Sequence, residues 1–78
     1  MYTVFLNTPP YDPSTLSMFR VKEDSPRIES GCILVRREDI FAPDGPIIRE
    51  LLKVTMGDVM LRIPMSSVIA IVEPLKTA

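Results

Sequence analysis

The sequence predicts a mainly β fold: a small barrel or roll of five or six strands, with room for one short helix. Three observations predict it. Lys53 to Val72 reads as two apolar strands meeting at Gly57-Asp58, then a Pro64-Met65-Ser66-Ser67 kink and a third strand. Both Val68-Ile69-Ala70-Ile71-Val72 and Cys32-Ile33-Leu34-Val35 are apolar at every position, as strands buried on both faces would be. Tight-turn signals recur between short runs, and only the segment after Leu6 forms a longer loop.

Taken in order, Tyr2-Thr3-Val4-Phe5-Leu6 is rich in β-branched and aromatic residues and reads as the first strand. Asn7 to Pro13 leaves the sheet, since proline cannot donate to a central ladder, and residues 9–14 form a loop. Ser14 to Val21 reads as a strand with Phe19 and Val21 on one face, or begins with a helical turn capped by Ser14. Lys22 to Pro26 is a solvated turn. Arg27 to Phe41 is a long element in which Gly31 marks a bulge or sharp bend. Ala42-Pro43-Asp44-Gly45-Pro46 is a turn signal, because proline presets one dihedral and glycine accepts positive φ.

Ile47 to Met56 is the decision point. As a helix it has Asp44 before it, Pro46 in its first turn, Gly57 after it, and Ile47, Ile48, Leu51 and Leu52 on one face. As a strand it alternates, with Leu52, Val54 and Met56 opposite Lys53 and Thr55, and runs straight into a Gly57-Asp58 hairpin turn. The strand reading is preferred from Leu51. Val59 to Ile63 alternates with Val59, Leu61 and Ile63 inward and Arg62 outward, and Pro64 ends it. Ser66-Ser67 turns the chain into Val68–Val72. Glu73-Pro74 stops the last strand, and residues 74–78 are expected to fray. The whole of 1–78 is one small β domain.

A chain of 78 residues buries only about 60% of its unfolded surface or slightly more. A hydrophobic fraction of 46% is high for so small a domain, so some apolar area is expected to face another chain. Val68 to Val72 has no charge to protect a face or an edge, and must be central or covered. A homo-oligomer or a protein partner is therefore expected. No run approaches the ~18 apolar residues of a membrane span, and no basic segment precedes Met1–Leu6 as a secretion signal would require. The expected location is the cytoplasm.

Catalytic chemistry is poorly supplied. There is no histidine, so neither the usual base near neutral pH nor a Ser–His or Cys–His pair can be assembled. Cys32 is the single cysteine, excludes an internal disulfide, and reads as a small buried hydrophobe. Glu38 and Asp39 are adjacent and on a strand would face opposite sides, so they chelate no ion together. Only three glycines are present, and no phosphate loop. No enzyme, metal or cofactor is expected.

Polar contact candidates are Arg36, Arg37, Arg49 and Arg62, whose forks suit phosphate or carboxylate. The alternative is that they are solvated rim residues paired with Glu38, Asp39 and Glu50. Tyr11, among prolines, is expected to be exposed. Phe5, Phe19 and Phe41 are expected in the core. Met60 alternates with inward residues and would leave an apolar spot beside Arg62. The net charge of −1 supplies no field for nucleic acid, although six of the nine cations are arginine and a local basic patch is open to it.

Gly31-Cys32-Ile33-Leu34-Val35 followed by Asp39 resembles the bent second strand of Sm-like proteins. Arg62-Ile63-Pro64-Met65-Ser66-Ser67-Val68 to Val72 is similar to the strand, tight turn and closing strand of Sm-like and other SH3-like barrels. The resemblance spans about residues 27–73. It implies a ring-forming barrel that pairs its outer strands between subunits. An RNA-binding ring is the alternative to a module that self-associates or docks on a protein.

Overall fold

The first strand, β1 (Tyr2–Leu6), buries Tyr2, Val4 and Leu6 and leaves Thr3 and Phe5 half-buried on its other face. That alternation is the period-2 signature of a strand over a core. The computed structural model describes residues 1–75 and assigns seven strands to two antiparallel sheets, with one α-helix. One sheet has the order β5-β2-β1-β7, with β2 at Ser17–Val21, β5 at Ile40–Asp44 and β7 at Val68–Val72. The other is β3-β4-β6, with β3 at Arg27–Glu29, β4 at Cys32–Arg36 and β6 at Met60–Pro64. The helix α1 is Pro46–Val54 and packs against β2 and β5.

The core joins all three parts. Tyr2, Val4, Leu6, Phe19 and Val21 come from the first sheet, Ile33, Val35, Leu61 and Ile63 from the second, and Ile48 from α1. The mainly β class stands, with more strands than the five or six expected. The strand pairs do not close into a barrel among the described residues.

Several elements differ from the sequence reading. Residues 47–54 are helical, not extended: Pro46 starts the helix, and Ile48 and Leu52 turn toward the core one turn apart. Gly57-Asp58 therefore joins a helix to β6 and is no hairpin turn. Arg27 to Phe41 is not one bent strand. Ser30 and Gly31 both take positive φ, as a two-residue I′ hairpin turn requires, and pair Glu29 with Cys32 across it. Ala42 to Asp44 belongs to β5, with Pro43 tolerated because β5 is an edge strand, and the turn shrinks to Gly45. Before β2, both readings of 14–21 apply in sequence: a 3₁₀ turn at Pro13–Thr15, then the strand.

Two burial expectations also change. Phe19 is buried, but Phe5 and Phe41 are half-buried, Phe5 on the outer face of its sheet. β7 is an edge strand, not a central one: among the described residues it pairs only with β1, Val68 and Ile71 pack against the core, and Ile69 and Val72 are exposed. Glu73, Pro74 and Leu75 follow it as exposed, non-regular chain, and the remainder of the expected frayed tail lies outside the described residues.

Candidate functional site

Helix α1 is held at both ends by residues from elsewhere in the chain. Its N-cap position is Gly45, which has no side chain to offer. Ser17 on β2 substitutes: its Oγ accepts from Ile47 N at 2.9 Å and Ile48 N at 3.4 Å. These are two of the amides that a helix start leaves without partners. At the other end, Arg37 Nη2 donates to the Leu52 carbonyl at 2.9 Å, and Arg37 Nε to Thr55 Oγ1 at 3.0 Å. Thr55 Oγ1 in turn donates to the Leu51 carbonyl at 2.9 Å. A guanidinium there also suits the negative end of the helix dipole.

So anchored, α1 turns Ile48 and Leu52 to the core and leaves a second stripe, Ile47, Leu51 and Val54, at helical spacing. That stripe forms one wall of a groove of about 730 Å³. The opposite wall is β6, through Arg62, Ile63 and Pro64, and Thr8, Thr15 and Ser67 border one end. Ligand clefts commonly fall between about 300 and 1,000 Å³. Ile47 and Leu51 are half-buried against the core, and Val54 is 69% exposed, so the stripe opens to solvent at its Val54 end.

The loop that borders the groove is fastened by Asn7, which is buried. Its Oδ1 accepts from Thr8 N at 2.9 Å and from Thr15 Oγ1 at 2.7 Å, and its Nδ2 donates to the Asp12 carbonyl at 3.3 Å. The Asp12 side chain accepts from Ser14 N at 2.9 Å, and that bond holds its carboxyl below the usual range.

The β6 wall presents backbone as well as side chains. Arg37 N donates to the Val59 carbonyl and Met65 N to the Gly31 carbonyl, each at 2.9 Å. These two bonds set the alternation of the β4–β6 ladder, whose pairs run from Cys32–Pro64 to Arg36–Met60. Leu61 and Ile63 then exchange bonds with β4, while the amides and carbonyls of Met60 and Arg62 point to the free edge. No other strand pairs with that edge among the described residues.

A second unpartnered surface is β7. Ile69 is 51% and Val72 53% exposed. Two cross-strand rows continue its outer face, Val72–Thr3–Arg20–Phe41 and Ala70–Phe5–Met18–Asp44. Arg20 lies over the Phe41 ring, 5.5 Å from its centre. The face is therefore mostly apolar and runs to an uncharged edge.

The structure separates the residues singled out in the sequence. Tyr11 is exposed in the 9–14 loop. Arg37 is a helix anchor. Arg49 pairs with Asp44 at 3.4 Å on the surface. Arg36 is ion-paired with Glu38, and its Nη2 donates to both Asp58 oxygens at 3.1 and 3.2 Å, which raises its pKa further. Met60, 44% exposed, is the cross-strand partner of Arg36, and Arg62 lies two residues along the same face. Arg36, Met60 and Arg62 thus come together, and Arg62 makes no side-chain ion pair among the described residues.

Arg27 was missed. The register places buried Leu34 between Arg27 on β3 and Arg62 on β6, so two arginines share one row of the outer face. Strand alternation alone put Arg62 outward, but pairing it with Arg27 needed the Ser30-Gly31 hairpin. Among the described residues no three metal-ligating side chains gather, and no helix is long and apolar enough to cross a membrane. No family model, no curated protein and no solved structure matches the chain.

Proposed function

We propose that the protein is a non-enzymatic β interaction module that works by self-association, or by docking a strand of a protein partner, through the β7 edge. One observation carries the reading: Val68–Val72 is an edge strand with no charge, no proline and exposed Ile69 and Val72. Edges of monomeric proteins are usually blunted by lysine, proline or a cover. The bulge between Phe5 and Leu6 of the β1–β7 ladder is the one blunting feature among the described residues. A second copy aligned antiparallel on β7 would pair both edges at once, as a two-fold dimer requires. The finer fold assignment, an SH3-like or Sm-like barrel, belongs to the same proposal. It is supported by the 3₁₀ turn Met65–Ser67, which carries the chain from β6 in one sheet to β7 in the other.

Light scattering tests it. The wild-type protein is expected to run as a dimer or larger. Ile69→Lys/Val72→Lys is expected to run as a monomer with an unchanged circular-dichroism spectrum. A wild-type monomer at its highest soluble concentration would overturn the self-associating form, and capture of no protein partner by that edge would overturn the rest.

One observation favours a second reading, an Sm-like nucleic-acid-binding ring: the Arg27–Leu34–Arg62 row, with Arg36 beside it. Anisotropy of a short labelled RNA across a salt series separates the two. Binding that weakens steeply with salt and with Arg27→Glu supports the ring, and its absence at low salt removes it.

A further inference from the structure

We propose that the groove between α1 and β6 takes an extended peptide from a protein partner, an acidic residue flanked by apolar ones, added as a fourth strand to β3-β4-β6. This rests on the interaction-module reading but not on self-association, since β7 lies in the other sheet.

The occupant follows from the walls. The β6 edge offers backbone amides and carbonyls at Met60 and Arg62, and a carbonyl alone at Pro64, which has no N–H. Such a row is satisfied by another extended backbone, the mode by which a peptide augments a sheet. Pro64 limits the added strand to about five residues. Residues directly opposite in a ladder share a face. The peptide residue opposite Arg62 therefore lies on the outer face, beside the guanidinium that has no ion partner among the described residues. An acidic side chain there completes a fork-to-carboxylate pair. Its two neighbours point to the other face, where Ile63 and the Ile47–Leu51–Val54 stripe line the groove, and apolar side chains fit them.

Charge also decides between occupants. A second copy's Val68–Val72 would fill the apolar wall but has no acidic residue to set against Arg62, and its Val72-Glu73-Pro74 segment, which has one, loses its apolar flank when Val72 is replaced by lysine. A heterologous segment of the pattern apolar-acidic-apolar satisfies both walls.

The test uses full-length Ile69→Lys/Val72→Lys, so that β7 contributes nothing and failure of self-association leaves this result readable. The probe is fluorescein-labelled acetyl-Thr-Ile-Asp-Val-Thr-amide. Saturable binding below about 100 µM is expected, with amide shifts at Met60 and Arg62 in 15N spectra. N-methylation of the peptide backbone is expected to weaken binding at least tenfold. Arg62→Glu is expected to do the same and to be rescued by replacing Asp with Lys in the peptide. Val54→Asp, at an exposed position, is expected to remove binding without altering the fold. Undiminished binding of the N-methylated peptide, shifts confined to other surfaces, or no binding at millimolar peptide would each overturn the proposal.

Discussion

The Ser17 hydroxyl, on β2, stands 2.9 Å from the Ile47 amide, 30 positions away, and caps a helix that has no cap of its own. Gly45 makes the approach possible. A Cβ on Gly45 would collide with the Leu16 carbonyl and sit 2.6 Å from both Ser17 Cα and Ser17 Oγ. Its φ of +102° is strained for any other residue as well. The groove therefore depends on a contact between β2 and a glycine, made before the helix begins.

Ser17→Ala leaves two helix amides without their acceptor in a buried place. It is expected to lower unfolding free energy by about 1–2 kcal/mol in urea. Gly45→Ala is expected to cost more, since strain at positive φ adds to the clash, and the two losses should not sum in the double variant because they disturb one contact. Strict additivity would show that the two positions act separately.

Arg37→Ala is expected to destabilise by about 1.5–3 kcal/mol, the range for hydrogen bonds made by a charged donor. It removes the donors to the Leu52 carbonyl and to Thr55 Oγ1. Arg37→Lys should recover less than half, since one ammonium cannot reproduce the fork. The same variant should leave RNA and peptide anisotropy unchanged when measured below its melting temperature. A loss of binding with no loss of stability would return Arg37 to the role its sequence suggested, a ligand contact.

The strands over the core were legible in the sequence because each alternates or is wholly apolar. Tyr2–Leu6, Ser17–Val21 and Met60–Pro64 each bury the residues their period assigns. The helix was not, although Pro46 and the Ile47, Ile48, Leu51, Leu52 face were visible. Its first amides are capped from β2 by Ser17 and its C-terminal anchor is Arg37, neither within the local window. Leu52, Val54 and Met56 also mimic a strand, because a helix with two apolar stripes is apolar at both periods. The candidate site suffered the same way. Arg36, Met60 and Arg62 share a face that the strand period shows, but Arg37 looked like their neighbour and instead anchors the end of the helix. The groove is a tertiary product of that helix standing beside an unpaired edge.

Asn7→Ala is expected to lower stability by about 1–3 kcal/mol, since it leaves the Thr8 amide and the Thr15 hydroxyl without their shared acceptor. Because Thr8 and Thr15 border the groove, hydrogen exchange should rise across residues 8–16 while β4 stays protected. Uniform acceleration over the whole chain would mean that the loop unfolds only with the core. Asn7→Asp tests the amide separately: it keeps the acceptor and loses the donor to the Asp12 carbonyl.

Tyr2 buries its hydroxyl without a hydrogen-bond partner among the described residues, and burial, followed by the charges of Glu23 and Asp39, pushes its pKa up to about 12. Tyr2→Phe removes a desolvated oxygen and is expected to raise stability by up to about 1 kcal/mol near neutral pH. The pH dependence has a definite sign. The unfolded phenol ionises near pH 10 and the folded one near 12, so in that window the native state holds more protons than the unfolded state. Stability therefore falls as pH rises from about 10 and levels off above about 12. Urea midpoints measured from pH 8 to 12 should drop less in Tyr2→Phe than in the wild type. Parallel curves for the two proteins would show that the phenol ionises alike in both states.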